Sequence, residues 1–117
     1  MTQIELEDYQ VHSKIFFGNN YLFIFQNQYD ISERRVLEMK DVVGFIENAD
    51  SHPLISLRII EGGTYPFDLS ARCNRPEVVN FPEVLISTAN TKGMFYFRAC
   101  AASIIFREWT IADAWLR

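Results

Sequence analysis

Apolar residues fall along this chain in short runs separated by turn-forming residues, the rhythm of an antiparallel β-protein. Residues 9–17 end on Ile15-Phe16-Phe17. Gly18-Asn19-Asn20 tolerate positive φ, and Tyr21-Leu22-Phe23-Ile24-Phe25 then returns, which predicts a hairpin with a three-residue loop. Tyr21, Phe23 and Phe25 share one face of that strand, Leu22 and Ile24 the other, so both faces should be covered. A further strand is expected over 54–60, with Ile55, Leu57 and Ile59 on one side and Ser56 and Arg58 opposite. Glu61-Gly62-Gly63 turns the chain, and 64–69 reads as a return strand. Pro66 has no amide donor, which places that strand at an edge or bulge. Residues 71–83 read as a loop in which Asn74 caps a short helical turn, stopped by Pro82. Val84 to Thr88 is a strand. Asn90-Thr91-Lys92-Gly93 fits a hairpin turn, and Met94 to Phe97 returns. The stretch 98–109 contains no turn residue and reads as a long bent strand with a bulge at its alanines. Ile111 and Trp115 are the expected anchors of a docked C-terminal tail.

Residues 30–48 carry a competing signal. Asp30-Ile31-Ser32-Glu33 fits a capping box, and Val36, Met39, Val43 and Ile46 recur at three- and four-residue spacing. That spacing predicts a helix within residues 31–48. Gly44 and the β-branched pair Val42-Val43 oppose it and leave open a shorter helix or turn followed by a strand from Val42 to Glu47. The expected fold is therefore mostly β to α+β: a single domain (1–117) built as a curved antiparallel meander of about seven strands with one helix.

Charge adds an asymmetry. Residues 1–50 hold nine acids and four bases, a net of −5, and the remainder six acids and seven bases, for −4 overall. An acidic half on a domain rich in Phe and Tyr suits a basic protein partner, and disfavours nucleic acid, which calls for clustered Lys and Arg. Arg72, Arg75, Arg98 and Arg107 are too dispersed in sequence to suggest a positive groove. Met1 to Asp8 lacks the basic start and apolar core of a signal peptide, and no apolar run is long enough to span a bilayer. The expectation is a cytoplasmic protein without membrane association, monomeric or homodimeric, with Cys73 and Cys100 reduced.

Chemical motifs are sparse. His12 adjoins Ser13, and His52 lies beside Asp50 and Ser51, but neither context is a nucleophile–base–orienter motif. Cys73, Cys100, His12 and His52 lack the paired spacing of a zinc site. Glu5 and Glu7 read as one solvated strand face beside Ile4 and Leu6. Gly62-Gly63 belongs to no phosphate-binding pattern. No catalytic residue, metal or cofactor is expected. Tyr29, Glu33, Glu38, Asp41, Glu47 and Asp50 are the expected partner-binding residues. A small, acidic, aromatic chain of this kind resembles bacterial toxin-immunity proteins and phage-encoded inhibitors in general profile, without a family motif. The resemblance implies a non-catalytic protein whose carboxylates occupy a partner's cationic site. A carrier of a small hydrophobic ligand and an assembly subunit are the alternatives.

Overall fold

The computed structural model describes residues 2–48, 53–89 and 96–116. The strands are β1 (Thr2–Glu5), β2 (Tyr9–Phe17), β3 (Asn20–Asn27), β4 (Arg34–Glu47), β5 (Leu54–Ile60), β6 (Glu83–Thr88) and β7 (Phe97–Glu108). They form one antiparallel sheet in the order β1-β5-β6-β7-β4-β3-β2. The helix α1 (Thr64–Arg72) and a 3-10 helix (Pro76–Asn80) join β5 to β6, and a second 3-10 segment (Ile111–Leu116) follows β7. Among the described residues no helix is long and apolar enough to cross a membrane.

The sheet must curl. Seven strands laid flat would span about 29 Å. Yet one core cluster gathers Ile4 of β1, Val11 of β2, Phe25 of β3, Leu37 of β4, Leu57 of β5, Ile86 of β6 and Ala99 of β7. Phe23 and Phe97 lie on strands separated by β4, but their ring centroids are 4.6 Å apart. The inner face is therefore filled by side chains from every strand. The edges β1 and β2 are consecutive in sequence and meet only at a corner, where the Tyr9 amide donates to the Leu6 carbonyl and the sheet stays open. Both edges are guarded. β1 is four residues long. β2 carries a register shift between Val11 and Ser13, and Lys14 reaches inward to Glu47 and over the Phe23 ring. A bulge and an inward charge both discourage further strand pairing.

The outer face is covered in two patches. Leu22, Ile24 and Val36 pack with Ile15 and Trp109, so β3 is buried on both sides as its sequence implies. Beyond β4, α1 lies across the sheet, with Leu69, Val78 and Cys100 packed against Val43, Tyr65 and Phe81. Gly44 permits this approach, since a Cβ there would stand 2.9 Å from Leu69 Cδ1 and 3.0 Å from the Tyr65 hydroxyl.

The mostly-β architecture, with seven antiparallel strands and one α-helix, matches expectation. The helix does not lie where periodicity placed it. Residues 31–48 are a loop followed by the fourteen-residue strand β4. Its inward apolar residues are Leu37, Met39, Val42 and Phe45, because Asp41 adopts φ 54° and the register shifts between Val42 and Gly44. A strand whose alternation slips shows two- and three-residue intervals that imitate a helix. Conversely, 64–69 is helical. Pro66 sits in the first turn, where an amide has no intrahelical partner, and Tyr65 and Leu69 face the sheet one turn apart.

Other differences are local. The β2–β3 connection is two residues, with Phe17 paired to Asn20 and Gly18 at φ 59°. Asn74 takes φ 52°, while Arg75 occupies the cap position of the 3-10 helix. The bulge expected at the alanines of β7 lies opposite them, on β4. Ile111 is exposed and buried Asp113 ties the C-terminal segment to Arg107, while the side chain of Trp115, the other expected anchor, lies outside those described. The expected turn at 90–93 and the start of its return strand lie outside the described residues, as does His52. β6 and β7 on either side pair antiparallel. Both cysteines are free thiols, Cys73 exposed and Cys100 buried. Burial raises the Cys100 pKa to about 11.

Candidate partner-binding site

The residues expected to meet a partner are spread over the sheet rather than gathered. Glu38 and Glu47 are nine residues apart on β4, about 30 Å at the rise of a strand. Each of these acids among the described residues also has its own cation. Glu38 accepts from Arg107 Nη2 at 3.0 Å and lies 3.3 Å from Lys40 Nζ. Burial works against its charge, but these two cations hold the Glu38 carboxyl below its ordinary pKa. Asp41 accepts from Arg75 Nη2 at 3.1 Å, which ties β4 to the 3-10 helix before β6. Glu47 binds Lys14 and accepts from the Tyr96 hydroxyl at 3.3 Å. Burial opposes the charge on Lys14 too, yet Glu47 and Tyr96 raise its pKa overall. Asp50 lies outside the described residues.

Tyr29 and Glu33 do come together, on the loop from Gln28 to Glu33 between β3 and β4. This loop is held by its own polar side chains. Asn27 Oδ1 accepts from the amides of Tyr29 (2.8 Å) and Asp30 (3.1 Å). Asp30 Oδ1 accepts from the Ser32 amide (3.1 Å) and hydroxyl (2.6 Å), which lowers the Asp30 pKa. The Asn27 amide donates to the Glu33 carbonyl, and the Gln28 amide to the Asp8 carbonyl at the β1–β2 corner. Asn and Asp side chains that accept from nearby amides fix a turn without a strand ladder. Glu33 Oε1 takes the Tyr9 hydroxyl at 2.7 Å and Arg35 Nη2 at 3.1 Å. Burial and the Glu33 carboxylate raise the pKa of Tyr9.

Tied in this way, the loop turns two large side chains outward: Tyr29 is 80% exposed and Ile31 74%. Next to it lies a recess of about 360 Å³, lined by Asp30, Ser32 and Glu33 of the loop, Arg34 and Arg35 at the start of β4, and Glu108 and Trp109 at the end of β7. Arg34 Nε donates to Gln26 Oε1 at 3.2 Å, and its guanidinium lies 5.5 Å from the Trp109 ring centroid. The Trp109 amide donates to the Arg34 carbonyl, which closes this end of the sheet. The buried Trp109 Nε1 has no hydrogen-bond partner among the described residues, and its burial screens it from the recess.

A second exposed group lies on the inner face. Phe16, Tyr21 and Phe45 form an aromatic cluster with centroid separations of 4.5 to 6.4 Å, and Phe16 and Phe45 are about half exposed. His12 lies on β2 with Nδ1 2.7 Å from Ser13 Oγ. Among the described residues no group of three or more His, Cys, Asp or Glu is placed to hold a metal ion.

Sequence reading selected Tyr29 and Glu33 but passed over Ile31, Glu108 and Trp109. An apolar Ile31 inside an Asx-rich turn was the available signal. The meeting of that turn with the end of β7 depends on a pairing across more than seventy residues. Comparison with protein-family models, curated proteins and solved structures finds no match to this chain.

Proposed function

We propose that this chain is a non-catalytic binding protein that engages a basic protein partner through the β3–β4 loop, as an inhibitor or immunity protein masks a cationic site. The observation that carries the reading is the fixed loop with Tyr29 and Ile31 turned to solvent. An aromatic and an aliphatic anchor on a preorganised turn lose little entropy on docking, and such residues are common hot spots. Net charge −4, with Glu7, Asp8 and Asp30 exposed near this end, favours a basic partner and faster encounter at low salt. Glu38, Asp41 and Glu47 are engaged with Arg107, Arg75 and Lys14, so in this reading they shape the scaffold rather than the contact.

The test is affinity capture from host lysate with the wild type and with Tyr29→Ala/Ile31→Ser. Both side chains are exposed, so the double variant should melt with the wild type. The wild type is expected to retain a basic protein in a salt-sensitive manner, and the variant to retain at least about tenfold less. Equal capture by both forms, or capture indifferent to salt, refutes the reading. A second reading, a carrier of a small apolar ligand, rests on the half-exposed Phe16 and Phe45. A bound hydrophobic molecule in native mass spectra of the purified protein would favour it.

A further inference from the structure

We infer that the recess beside the β3–β4 loop receives a guanidinium group of the partner, an arginine side chain held between Asp30 and Glu108. The inference deepens the proposed binding role and rests on it. Three features converge on this guest. First, the recess is concave, and its volume of about 360 Å³ accommodates one long side chain. Second, exposed apolar residues adjoin it on the loop, where Tyr29 and Ile31 alternate with the lining residues Asp30 and Ser32. Apolar anchors that dock beside a polar recess exclude water from it and strengthen a charge pair formed there. Third, the cations of the recess are already engaged, as is Glu33, while Asp30 Oδ2 and the Glu108 carboxylate accept no hydrogen bond among the described residues.

Arg35 is held by Glu33 at 3.1 Å. Arg34 is held by Gln26 and the Trp109 ring. Asp30 uses Oδ1 for Ser32, and Oδ2 accepts no hydrogen bond among the described residues. Glu108 is 81% exposed at its side chain, and among the described residues its one cation is Arg35, at 4.0 Å. The two carboxylates with open lone pairs thus both line the recess, one on the loop and one at the end of β7. A guanidinium has five donors in a planar fork and can bridge two carboxylates at once, whereas an ammonium is a compact point charge. That geometry selects arginine over lysine.

The recess is tested with small probes followed by two-dimensional NMR of the labelled protein. N-acetyl-arginine amide is expected to shift the Ser32 amide and the Trp109 backbone amide saturably in the millimolar range. N-acetyl-lysine amide should act more weakly, and inorganic phosphate should not act there. Asp30→Asn keeps the Oδ1 acceptor for Ser32, and Glu108→Gln is on the surface, so both variants should keep the wild-type fold. Together they should weaken arginine binding at least tenfold. Saturable shifts with phosphate, or arginine shifts spread evenly over Glu5, Glu7 and Asp8, overturn the inference. Partner capture separates the two proposals. If capture is lost in Tyr29→Ala/Ile31→Ser but unchanged in Asp30→Asn/Glu108→Gln, the recess assignment is wrong while the loop reading stands. If the arginine probe binds but no partner is retained, the loop reading fails alone.

Discussion

Replacing Arg98 by methionine is expected to destabilise the protein by about 3–5 kcal/mol, the cost of leaving a buried charge without its counter-ion. Glu83 is only 2% exposed, and Arg98 Nε donates to its Oε2 at 2.8 Å. The carboxylate is closed in from the other side by Gly63, the residue that caps α1. A Cβ at Gly63 would fall 2.0 Å from Glu83 Oε1. Arg98 also lies under the Tyr65 ring, 4.6 Å from its centroid. One cation on β7 therefore connects β6 with the first turn of α1, and burial in this region raises the pKa of Tyr65. Methionine fills the volume of the arginine stem but strands Glu83. Urea unfolding of Arg98→Met gives the loss directly. Adding Glu83→Gln removes the stranded charge, so the double variant should recover a large part of it. A loss below about 1 kcal/mol in the single variant, or no recovery in the double, would show that Glu83 is solvated after all.

The helix that Arg98 anchors was hidden in the sequence by the very residue that places it. Pro66 demotes a strand, and in a run containing Tyr65, Phe67 and Leu69 a β reading dominated. The same proline is tolerated in a first helical turn. What settles the matter is not local: Gly44, on β4 and twenty-five residues before Leu69, leaves the space into which that leucine packs. The opposite error over 31–48 has the same root. Asp41 at φ 54° and the shifted register beside it break the two-residue alternation that identifies a strand. The Asn19 carbonyl and the Asn20 side chain stabilise that break by accepting from Val42 and Asp41, and neither contact is visible in the local pattern. Legible elements were those with unbroken alternation or plain turn chemistry: β3, β5, β6 and the uninterrupted length of β7.

The candidate site was legible to the extent that it is local. Tyr29 and Glu33 are picked out, but Asp30-Ile31-Ser32-Glu33 reads as a helix start, because an Asx side chain that accepts from nearby amides serves a helix cap and a turn alike. Charge counting saw the acids but not their partners. Glu38, Asp41 and Glu47 find cations 69, 34 and 33 residues away. An acidic half of the sequence thus became a set of ion pairs distributed over the sheet, and Asp30, outside those pairs, meets Glu108 from the other half at the recess.

The same cross-strand pairing makes stability depend on pH at the C-terminus. Asp113 is 2% exposed, and its two oxygens accept from Arg107 Nη2 and Nη1 at 2.8 and 2.9 Å. The Thr110 amide donates to Oδ2 at 2.7 Å. Arg107, then the Thr110 amide, outweigh burial and lower the Asp113 pKa from its ordinary 3.8 to about 2. A carboxyl with a depressed folded-state pKa stabilises the fold above the unfolded value, and that contribution is lost as pH falls through the folded value. The shift corresponds to about 2 kcal/mol, present at pH 7 and withdrawn between about pH 4 and pH 2. Asp113→Asn should therefore lower stability by about 2 kcal/mol at neutral pH, with the gap to wild type closing toward pH 2. Glu38, also below its ordinary pKa through Arg107 and Lys40 despite opposing burial, adds acid sensitivity of the same sign to both proteins. It does not produce the convergence. Urea midpoints measured at pH 7, 5 and 3 separate the two effects. A gap that stays constant across that series would mean that Asp113 acts through its hydrogen bonds to Thr110 and not through the charge on Arg107.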